Sequence, residues 1–386
     1  MCALSSPVCH GVSLASSMLT PTGLTACGLQ LVHDASGRSE FAWHPFCVVR
    51  TAGKGFGAAA ARDIRAGERV LSEAPLAVWA VAPDATQAEK VDSFARLQAT
   101  LDVATVDAVL TLSQNPMHGE TPTLLGTWLT NGLPIHYDGG RQQDATKQAA
   151  VFANVCRINH SCAPNSHYEW NASLGMETVH ALRDIARDEE ISISYLEPVG
   201  EERAARQLKL RERFGFECAC ARCSLEGDEL AASEARQRAL RSLNAEAGCG
   251  SDSTSGGGGR GGGGRGGGLG DELLAERLRK LALQLRFMEH EGLPPVWLWK
   301  TQLLSLLEAS MAELSTEGAD GSLQRAIEWA SEAAEALRVA VGSDHPTFEL
   351  AASFVRMLEQ QGQGKDSTAA QQRFFELASG AIGVES

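Results

Sequence analysis

The stretch RINHSCAPN, residues 157 to 165, decides the fold of this chain. Its asparagine, serine and proline residues favour a turn over the interior of a helix or strand. Asparagine and serine side chains hydrogen-bond to nearby backbone groups, and proline fixes the backbone angle φ. Taken alone, this turn is an ordinary polar loop. The segments that follow it along the chain give it meaning.

A strand is predicted after the turn, in RDEEISISYLEP, residues 187 to 198. Ile191 and Ile193 alternate with two serines, the period-2 pattern of a half-buried strand, so we expect a strand that ends at Tyr195. The next segment, EERAARQLKLRERF at 201–214, is rich in strong helix formers and predicts one helix. That helix leads into a cysteine-rich run.

Three cysteines lie in this run, FECACARC, residues 216 to 223. A structural zinc ion has four tetrahedral ligands, and the C-x-C-x-x-C pattern supplies three thiolates. The fourth ligand has three candidates. Cys249 borders a glycine-rich segment, Cys156 lies in the apolar run VFANVCRI that predicts a buried strand, and Cys162 lies inside the turn. The residues alone leave this choice open.

The composition is typical of a folded globular protein. Of 386 residues, 44% are hydrophobic and 21% are charged, and the net charge is -14. No basic cluster of the kind that binds nucleic acid occurs, so we expect no direct nucleic-acid binding. An acidic surface suits a basic protein substrate, but net charge predicts partners weakly and plain solubility is the more common reason for it. No apolar window is long enough to span a membrane.

The ten cysteines are scattered apart from the run at 216–223. This distribution predicts an intracellular, reduced protein, cytoplasmic or nuclear, with one metal site. The N-terminal segment, residues 1–40, lacks the positive start of a signal peptide and shows no clear periodicity. We expect it to be a flexible tail.

Short strands are predicted at residues 46–81, where apolar runs alternate with glycines at positions 53, 55, 57 and 67. Residues 84–115 carry apolar residues at helical spacing and predict a helical insert, which we extend to about residue 126. The segment SDSTSGGGGRGGGGRGGGLG at 251–270 is a linker by composition, because glycine at this density buries little surface. With its borders, we assign the linker to residues 245–270.

The remaining segment, residues 271–386, has the periodicity of consecutive helices. Apolar stripes at helical spacing are separated by the helix-terminating segments GLPP, EGADG and GSDHP. The stripes are Leu274, Leu278, Leu281, Leu285 and Met288; Trp297, Lys300, Leu304, Leu307, Met311 and Leu314, with Lys300 the polar exception; Leu323, Ile327, Ala330, Ala334, Leu337 and Val341; and Phe348, Ala352, Val355 and Leu358. Paired helices with short connections suggest a tetratricopeptide-like domain, which either binds partners or buttresses the first domain.

The order of the motifs NHSCAPN, DEEISISY and FECACARC resembles that of the SET-domain protein-lysine methyltransferases. The upstream segment GKGFGAAAARDIRAGERVLSEAPL resembles the opening of the same domain. The segments TNGLPI, VFANVCRINHSC and LRERFGFECACARC are similar to those of the SET and MYND (SMYD) subfamily. The resemblance covers residues 45–225 well and 271–386 loosely. One departure is large: residues 80–155 contain no cysteine, so we expect the MYND zinc finger to be absent.

The resemblance implies an α+β SET-domain fold of several small β-sheets over residues 41–225. This domain would contain the helical insert at about 84–126 and a zinc-binding post-SET segment at 199–225, and an α-helical C-terminal domain would follow at 271–386. The implied activity is S-adenosyl-L-methionine-dependent methyl transfer to the lysine side chain of a protein, histone or non-histone. The alternative is an inactive SET-derived scaffold that binds partners through its helical domain.

The resemblance also implies site residues. Tyr195 would be catalytic, because its hydroxyl can orient the lysine amine. S-adenosyl-L-methionine would be bound by Lys54, Gly55, Phe56, Gly57, Asn131, Asn159, His160, Tyr195 and Phe216. Structural zinc would be bound by Cys162, Cys218, Cys220 and Cys223, so the resemblance assigns the fourth thiolate to Cys162. Asp188 stands where the family usually has a turn glycine, and aspartate tolerates that left-handed geometry.

Overall fold

The strands of this chain form several small sheets rather than one large one. The computed structural model describes residues 29–33, 39–43, 45–51, 53–82, 84–135, 147–197, 199–248, 268–297, 320–363 and 368–373. The strands are β1 Leu29–His33, β2 Ser39–Trp43, β3 Phe46–Thr51, β4 Gly55–Ala60, β5 Arg69–Glu73, β6 Ala77–Val81, β7 Leu133–Ile135, β8 Lys147–Val151, β9 Asn159–His160, β10 Ser166–Asn171, β11 Met176–Ala181 and β12 Glu190–Ile193. Their orders are β1-β2, β10-β11-β5, β3-β4-β12-β9 and β6-β8-β7. This arrangement confirms the predicted α+β fold class.

The sheet β3-β4-β12-β9 brings the two polar motifs together. Strand β9 pairs in parallel with β12, so that Asn159 lies opposite Ser192 and His160 lies opposite Ile193. The prediction of a turn throughout 157–165 is therefore wrong for Asn159 and His160, because their backbone is paired with a neighbouring strand. Strand β12 also ends at Ile193, two residues before Tyr195.

Part of the N-terminal segment is paired rather than loose. Strands β1 and β2 form an antiparallel hairpin in which Leu29 lies opposite Trp43 and His33 lies opposite Ser39. The prediction of a flexible tail is wrong for 29–33 and 39–40, because a backbone ladder joins them. Residues 1–28 lie outside the described part of the chain.

Three helices form the insert between β6 and β7. They are α1 Gln87–Thr100, α2 Val103–Leu110 and α3 Leu124–Asn131. Side chains cap their N-termini: Thr86 and Glu89 form a capping box on α1, Asp102 caps α2, and Thr123 caps α3. Helix α3 continues past the predicted end of the insert at residue 126, since it ends only at Asn131.

The buried side chains of the insert pack against β6. Phe94, Val109 and Trp128 join Ala77 and Val151 in one core cluster. The rings of Phe94 and Trp128 lie edge to face, with centroids 5.7 Å apart. The insert is therefore fixed to the sheet β6-β8-β7, which gives the C-terminal end of α3 a defined position.

Helix α4, Arg203–Phe214, confirms the helix predicted at 201–214 and ends at Gly215, whose φ of 78° is left-handed. The following helices are α5 Gly227–Gly248, α6 Gly268–His290, α7 Asp320–Val341 and α8 Pro346–Gly362. The predicted linker overlaps the ends of α5 and α6 at 245–248 and 268–270. Residues 249–267 lie outside the described residues, as does the second predicted stripe beyond Trp297.

The C-terminal helices bury much of their predicted apolar faces. In α7, the predicted residues Ala330, Ala334, Leu337 and Val341 are buried. In α8 the stripe is displaced in part: Leu358 is buried as predicted, but Phe348, Ala352 and Val355 are only partly buried, and Leu350, Phe354 and Met357 complete the core face. The displacement follows from packing, because α8 turns residues one to two positions away from the predicted stripe toward α7.

Helix α7 packs on the sheet β10-β11-β5. Arg69 of β5 forms an ion pair with Asp344, which lies just before α8. His345 caps α8 by accepting from the Thr347 N–H through Nδ1, so its Nε2 carries hydrogen and donates to the Trp170 carbonyl at 3.1 Å. Polar contacts therefore join the helical region to the sheets.

The predicted left-handed turn at Asp188 is confirmed, with φ 68°. The sequence predicts that the whole chain is reduced. Cys156, Cys162, Cys218, Cys220 and Cys223 carry free thiols, whereas Cys47 is disulfide-bonded, so the prediction is wrong for Cys47. Among the described helices, none combines the length and apolar composition that crossing a membrane requires.

Candidate functional site

A cavity of about 500 Å³ opens where α3, β9, β12 and the C-terminal end of α4 meet. Its wall combines parts of the chain that are distant in sequence. Of the residues predicted to bind the cofactor, those that line it are Lys54, Phe56, Asn131, Asn159, His160, Tyr195 and Phe216. Gly55 and Gly57 are not among the lining residues.

Gly57 supports the cavity indirectly. Gly55 and Gly57 lie at the start of β4. A Cβ atom at Gly57 would lie 2.4 Å from Asn159 Nδ2 and 2.7 Å from Thr51 Oγ1, far inside contact distance. Glycine is therefore required at position 57 so that the Asn159 side chain can lie against β4.

Glu190 holds two of the lining side chains. Asn159 Nδ2 donates to Glu190 Oε1 at 2.9 Å, and Lys54 Nζ lies 2.7 Å from Glu190 Oε2. Because the amide nitrogen of Asn159 is engaged, its Oδ1 is the atom that can accept a hydrogen bond from a ligand.

Asn131, the last residue of α3, is oriented in a similar way. Its Nδ2 donates to the carbonyls of Ser113 at 2.6 Å and Thr127 at 2.7 Å. Two carbonyl acceptors require the amide nitrogen at that position, so the side-chain oxygen is the atom available to a ligand. Asn131 and Asn159 thus each offer an acceptor to the cavity.

His160 connects Tyr195 to Cys162. Its Nδ1 accepts from the Tyr195 backbone N–H at 3.0 Å, so hydrogen resides on Nε2, which lies 3.1 Å from Cys162 Sγ. Burial lowers the pKa of His160 to about 4, so the ring is neutral at physiological pH. The neutral imidazole donates from Nε2 to the sulfur.

Tyr195 lies at the centre of an aromatic group. Its hydroxyl donates to the Ile158 carbonyl at 2.8 Å. Its ring centroid lies 4.8 Å from that of Phe214 and 6.3 Å from that of Phe216. Burial raises the pKa of Tyr195 above its usual value, so the group is a neutral phenol. Its oxygen lone pairs can accept a hydrogen bond, but the phenol is not a base at neutral pH.

The cysteine cluster consists of Cys162, Cys218, Cys220 and Cys223, whose sulfurs all lie within 4.8 Å of one another. Cys162 Sγ lies 4.0 Å from Cys218 Sγ and 3.5 Å from Cys223 Sγ. Zinc–sulfur bonds of about 2.3 Å in a tetrahedron put sulfurs about 3.8 Å apart, so the four thiols fit such an ion. Hydrogen bonding among the four thiols lowers the pKa of Cys220 and Cys223 and raises the pKa of Cys162 and Cys218.

The two other candidates for the fourth ligand differ from Cys162. Cys156 lies in a 3₁₀ turn, Val155–Arg157, and not in the predicted strand. Its sulfur accepts from the Phe152 N–H at 3.3 Å and donates to the Asn131 carbonyl at 3.4 Å. Burial raises the pKa of Cys156 to about 12, so it is a protonated thiol. Cys249 lies outside the described residues.

Two buried arginines lie beside the cysteine cluster. Arg206 Nη2 lies 3.6 Å from Cys223 Sγ, and Arg222 Nη1 donates to the Cys162 carbonyl at 3.2 Å. Four thiolates around a divalent ion carry two excess negative charges, which buried guanidinium groups offset. This arrangement is consistent with a charged metal centre.

Several cavity residues were not predicted from the sequence. Arg157, Tyr168, Arg213 and Phe214 also line the cavity. The sequence could have indicated Phe214, because this residue lies two positions before Phe216 and ends a predicted helix. The others had no such signal, because their direction toward the cavity depends on strand register and on the packing of the insert.

Residues 55–196 of the chain match the SET domain family. Particular relatives share part of this chain. The chain is 40% identical over 102 residues to the histone-lysine N-methyltransferase set5 of Schizosaccharomyces pombe, covering 26% of this chain and 29% of that protein. It is 42% identical over 81 residues to the human protein-lysine N-trimethyltransferase SMYD5, covering 20% of this chain and 19% of that protein.

The chain therefore matches less than a third of the length of these curated relatives. Among solved structures, that of the Neurospora SET domain protein DIM-5, a histone lysine methyltransferase, aligns with a TM-score of 0.21 and 15% identity. That alignment covers 39% of this chain and 52% of the other.

Proposed function

We propose that this chain is an S-adenosyl-L-methionine-dependent protein-lysine methyltransferase. One observation carries the proposal: Asn159, His160, Tyr195 and Phe216, which are separate in sequence, line a single cavity beside a four-cysteine cluster. The proposal is supported by the SET domain at 55–196 and by relatives named as lysine methyltransferases.

The cavity offers groups that suit the cosubstrate, which supplies a methyl group on a positively charged sulfur. Asn131 and Asn159 line the space, and their amide oxygens can accept hydrogen bonds from an amino group. Phe216 offers a ring face on which a purine can stack. Lys54, Phe56 and His160 form further parts of the same wall.

Tyr195 would be the catalytic residue. Its hydroxyl proton is committed to the Ile158 carbonyl, so its oxygen can accept from the lysine amine and orient it for in-line attack. The attacking lysine must be neutral, so its ammonium form first gives a proton to solvent. The amine nitrogen then forms a bond to the methyl carbon as the bond from that carbon to sulfur breaks, and S-adenosylhomocysteine leaves. Tyr195 does not take that proton, because the raised pKa keeps it a phenol. The ring of Phe214 against Tyr195 helps to exclude water.

The four cysteines would bind one structural zinc ion, which ties the run at 216–223 to Cys162 and so to strand β9. We assign no catalytic step to it. The effect is positional: Phe216, Cys218 and Cys220 line the cavity, so the ion would hold that wall in place.

We infer that the substrate is a protein with an accessible lysine, histone or non-histone, and that the helical region binds partner proteins. The net charge of -14 suits a basic protein substrate. We expect the protein to act in the cytoplasm, the nucleus or both.

The test is to incubate the purified full chain with methyl-labelled S-adenosyl-L-methionine and a panel of histones and lysine peptides. Label on lysine that disappears in the Tyr195→Phe variant is the expected result. Binding of S-adenosylhomocysteine is measured in parallel by calorimetry. Absence of both labelling and binding would overturn the proposal in favour of a scaffold that has lost catalysis.

A further inference from the structure

Glu291 is a buried carboxylate in the turn that follows α6. Its side chain is only 1% exposed. It accepts hydrogen bonds from Ser233 Oγ at 2.7 Å, Arg236 Nε at 2.7 Å, Arg222 Nε at 2.9 Å and Gln237 Nε2 at 3.1 Å. Three of these donors belong to α5, so Glu291 joins α6 to α5.

The remaining donor connects Glu291 to the cysteine cluster. Arg222 lies between Cys220 and Cys223, and its side chain is 3% exposed. Its Nη1 donates to the Cys162 carbonyl at 3.2 Å. A buried guanidinium is strongly unfavourable without a charged partner. Glu291 provides that partner from the helical region.

The same turn also approaches the polar motif directly. Gly292 has a left-handed φ of 63°, and a Cβ atom at this position would lie 3.9 Å from Ala163 Cβ. Ala163 directly follows Cys162. The turn at 291–292 therefore lies against both segments that contribute sulfurs to the cluster, and one of these segments, 216–223, is a wall of the cavity.

We propose that Glu291 is a positioning residue for cofactor binding. By holding Arg222, it keeps the run at 216–223 closed against Cys162, and the helical region thereby becomes part of the cofactor site. Glu291 does not line the cavity and acts only through Arg222. The inference rests on the proposed methyltransferase function for its binding readout, but its metal readout is independent of that function.

The test uses Glu291→Gln in the full chain, because this substitution keeps the size of the side chain and removes its charge. We expect release of zinc to a colorimetric chelator to quicken, and affinity for S-adenosylhomocysteine to weaken, each by about tenfold or more. Far-ultraviolet circular dichroism checks that the fold is kept.

The matched control is Asp344→Asn, which removes the charge of another carboxylate at the boundary between the helices and the sheets. Asp344 pairs with Arg69 of β5, in the sheet β10-β11-β5, and not with the cysteine run. A merely structural effect of losing an interface carboxylate would appear in both variants. We expect zinc release and ligand affinity of Asp344→Asn to stay within about twofold of the unmodified chain, even where its melting temperature falls.

A second pair of variants tests the route. If Glu291 acts through Arg222, then Arg222→Met and the double variant should release zinc equally fast, since the two losses are not additive. Should Glu291→Gln fail to fold, Ser233→Ala removes one donor and should quicken zinc release to a smaller extent. Three results would overturn the proposal. They are unchanged zinc release in the folded variants, fully additive effects of Glu291→Gln and Arg222→Met on zinc release, and an effect of Asp344→Asn as large as that of Glu291→Gln. If the unmodified chain binds no S-adenosylhomocysteine, the proposed function fails, while zinc release still decides the role of Glu291.

Discussion

At the scale of single residues, Tyr195 is defined by the bond that its hydroxyl already makes. A proton given to the Ile158 carbonyl fixes the direction of the oxygen lone pairs. Burial keeps the ring in one place between Phe214 and Phe216. The residue is therefore suited to orienting a reactant rather than to exchanging protons with it.

Tyr195→Phe tests this role. The variant keeps the ring and its packing but loses the oxygen, so we expect turnover to fall by roughly 10²-fold while affinity for S-adenosylhomocysteine changes little. Steady-state kinetics and calorimetry measure the two effects separately. Unchanged turnover would remove Tyr195 from the proposed catalytic role.

The sequence indicates Asn159 and Asn131 as candidates for binding, but it does not indicate which of their atoms face the ligand. That depends on Glu190 for the first residue and on the carbonyls of Ser113 and Thr127 for the second. These partners come from other strands and helices, so only the folded chain identifies them. Motif order thus predicts the residues, and tertiary contacts decide their orientation.

At the scale of structural elements, the cysteine run and strand β9 share one cluster of sulfurs. Cys162→Ser should lower the zinc content of the purified protein, because a hydroxyl is a poor replacement for a thiolate. It should also weaken binding of S-adenosylhomocysteine, because the run that carries Phe216 is then less firmly held. Metal analysis and calorimetry measure both effects.

The control for the metal readout is Cys156→Ser. The Cys156 thiol bonds to the Asn131 carbonyl and lies outside the cluster, so this variant should keep its zinc. If Cys162→Ser retains a full complement of zinc, or if Cys156→Ser loses it, the assignment of the four ligands is wrong.

A second element-scale contact fixes the end of α2. The buried Arg157 donates from Nη2 to Thr111 Oγ1 at 2.6 Å and from Nε to the Ala153 carbonyl at 2.9 Å. Lysine cannot reproduce this forked geometry. Arg157→Lys should therefore lower the free energy of unfolding by roughly 1–3 kcal/mol, measured by urea denaturation.

The matched control for that substitution is Arg62→Lys, which alters an exposed ion pair with Glu68. Its effect on the free energy of unfolding should be within about 0.5 kcal/mol. An equally small effect of Arg157→Lys would show that the arginine fork does not hold the insert in place.

Elements with strong local signals were predictable. Helix α4 was, because its composition and the following glycine both agree with a helix that ends at Phe214. Strand β9 was not, since two residues have no periodicity and their pairing with β12 is a contact between distant segments. The hairpin β1-β2 was not predicted either, because it depends on backbone pairing between two segments. The apolar face of α8 was predicted only in part, because the neighbouring helix decides which residues are buried.

At the scale of the whole molecule, the boundary between the helices and the sheet β10-β11-β5 contains a buried histidine. Burial lowers the pKa of His180 to about 3, and the positive charge of Arg69 and the neighbouring His167 and His345 act in the same direction. His180 Nε2 accepts from Arg69 Nε at 3.2 Å. The folded chain thus holds this imidazole in its neutral form.

This predicts a dependence of stability on pH. The unfolded imidazole titrates near 6.5, the folded one at about 3, so acid favours the unfolded chain. The stabilisation that comes from keeping His180 neutral is complete above about pH 6.5. Below that pH, the free energy of unfolding decreases by about 1.4 kcal/mol per pH unit. His180→Asn removes this titrating group. The slope of the free energy of unfolding against pH, between about pH 6 and 4, should therefore fall by about 1.4 kcal/mol per pH unit, which corresponds to one proton. Urea denaturation over a pH series measures both slopes, and equal slopes would contradict the prediction.

The close approach of Gly57 and Asn159 has a consequence for how this chain can change over generations. A methyl group at position 57 would overlap the amide nitrogen at position 159. A lone change at Gly57 is therefore blocked by an intact Asn159. A prior shortening of Asn159 would remove only part of the obstruction, because Thr51 Oγ1 would still lie 2.7 Å from the methyl group. It would also remove the cavity acceptor. Neither order of single steps keeps the site intact, so we expect positions 57 and 159 to constrain each other's substitutions although 101 other residues separate them.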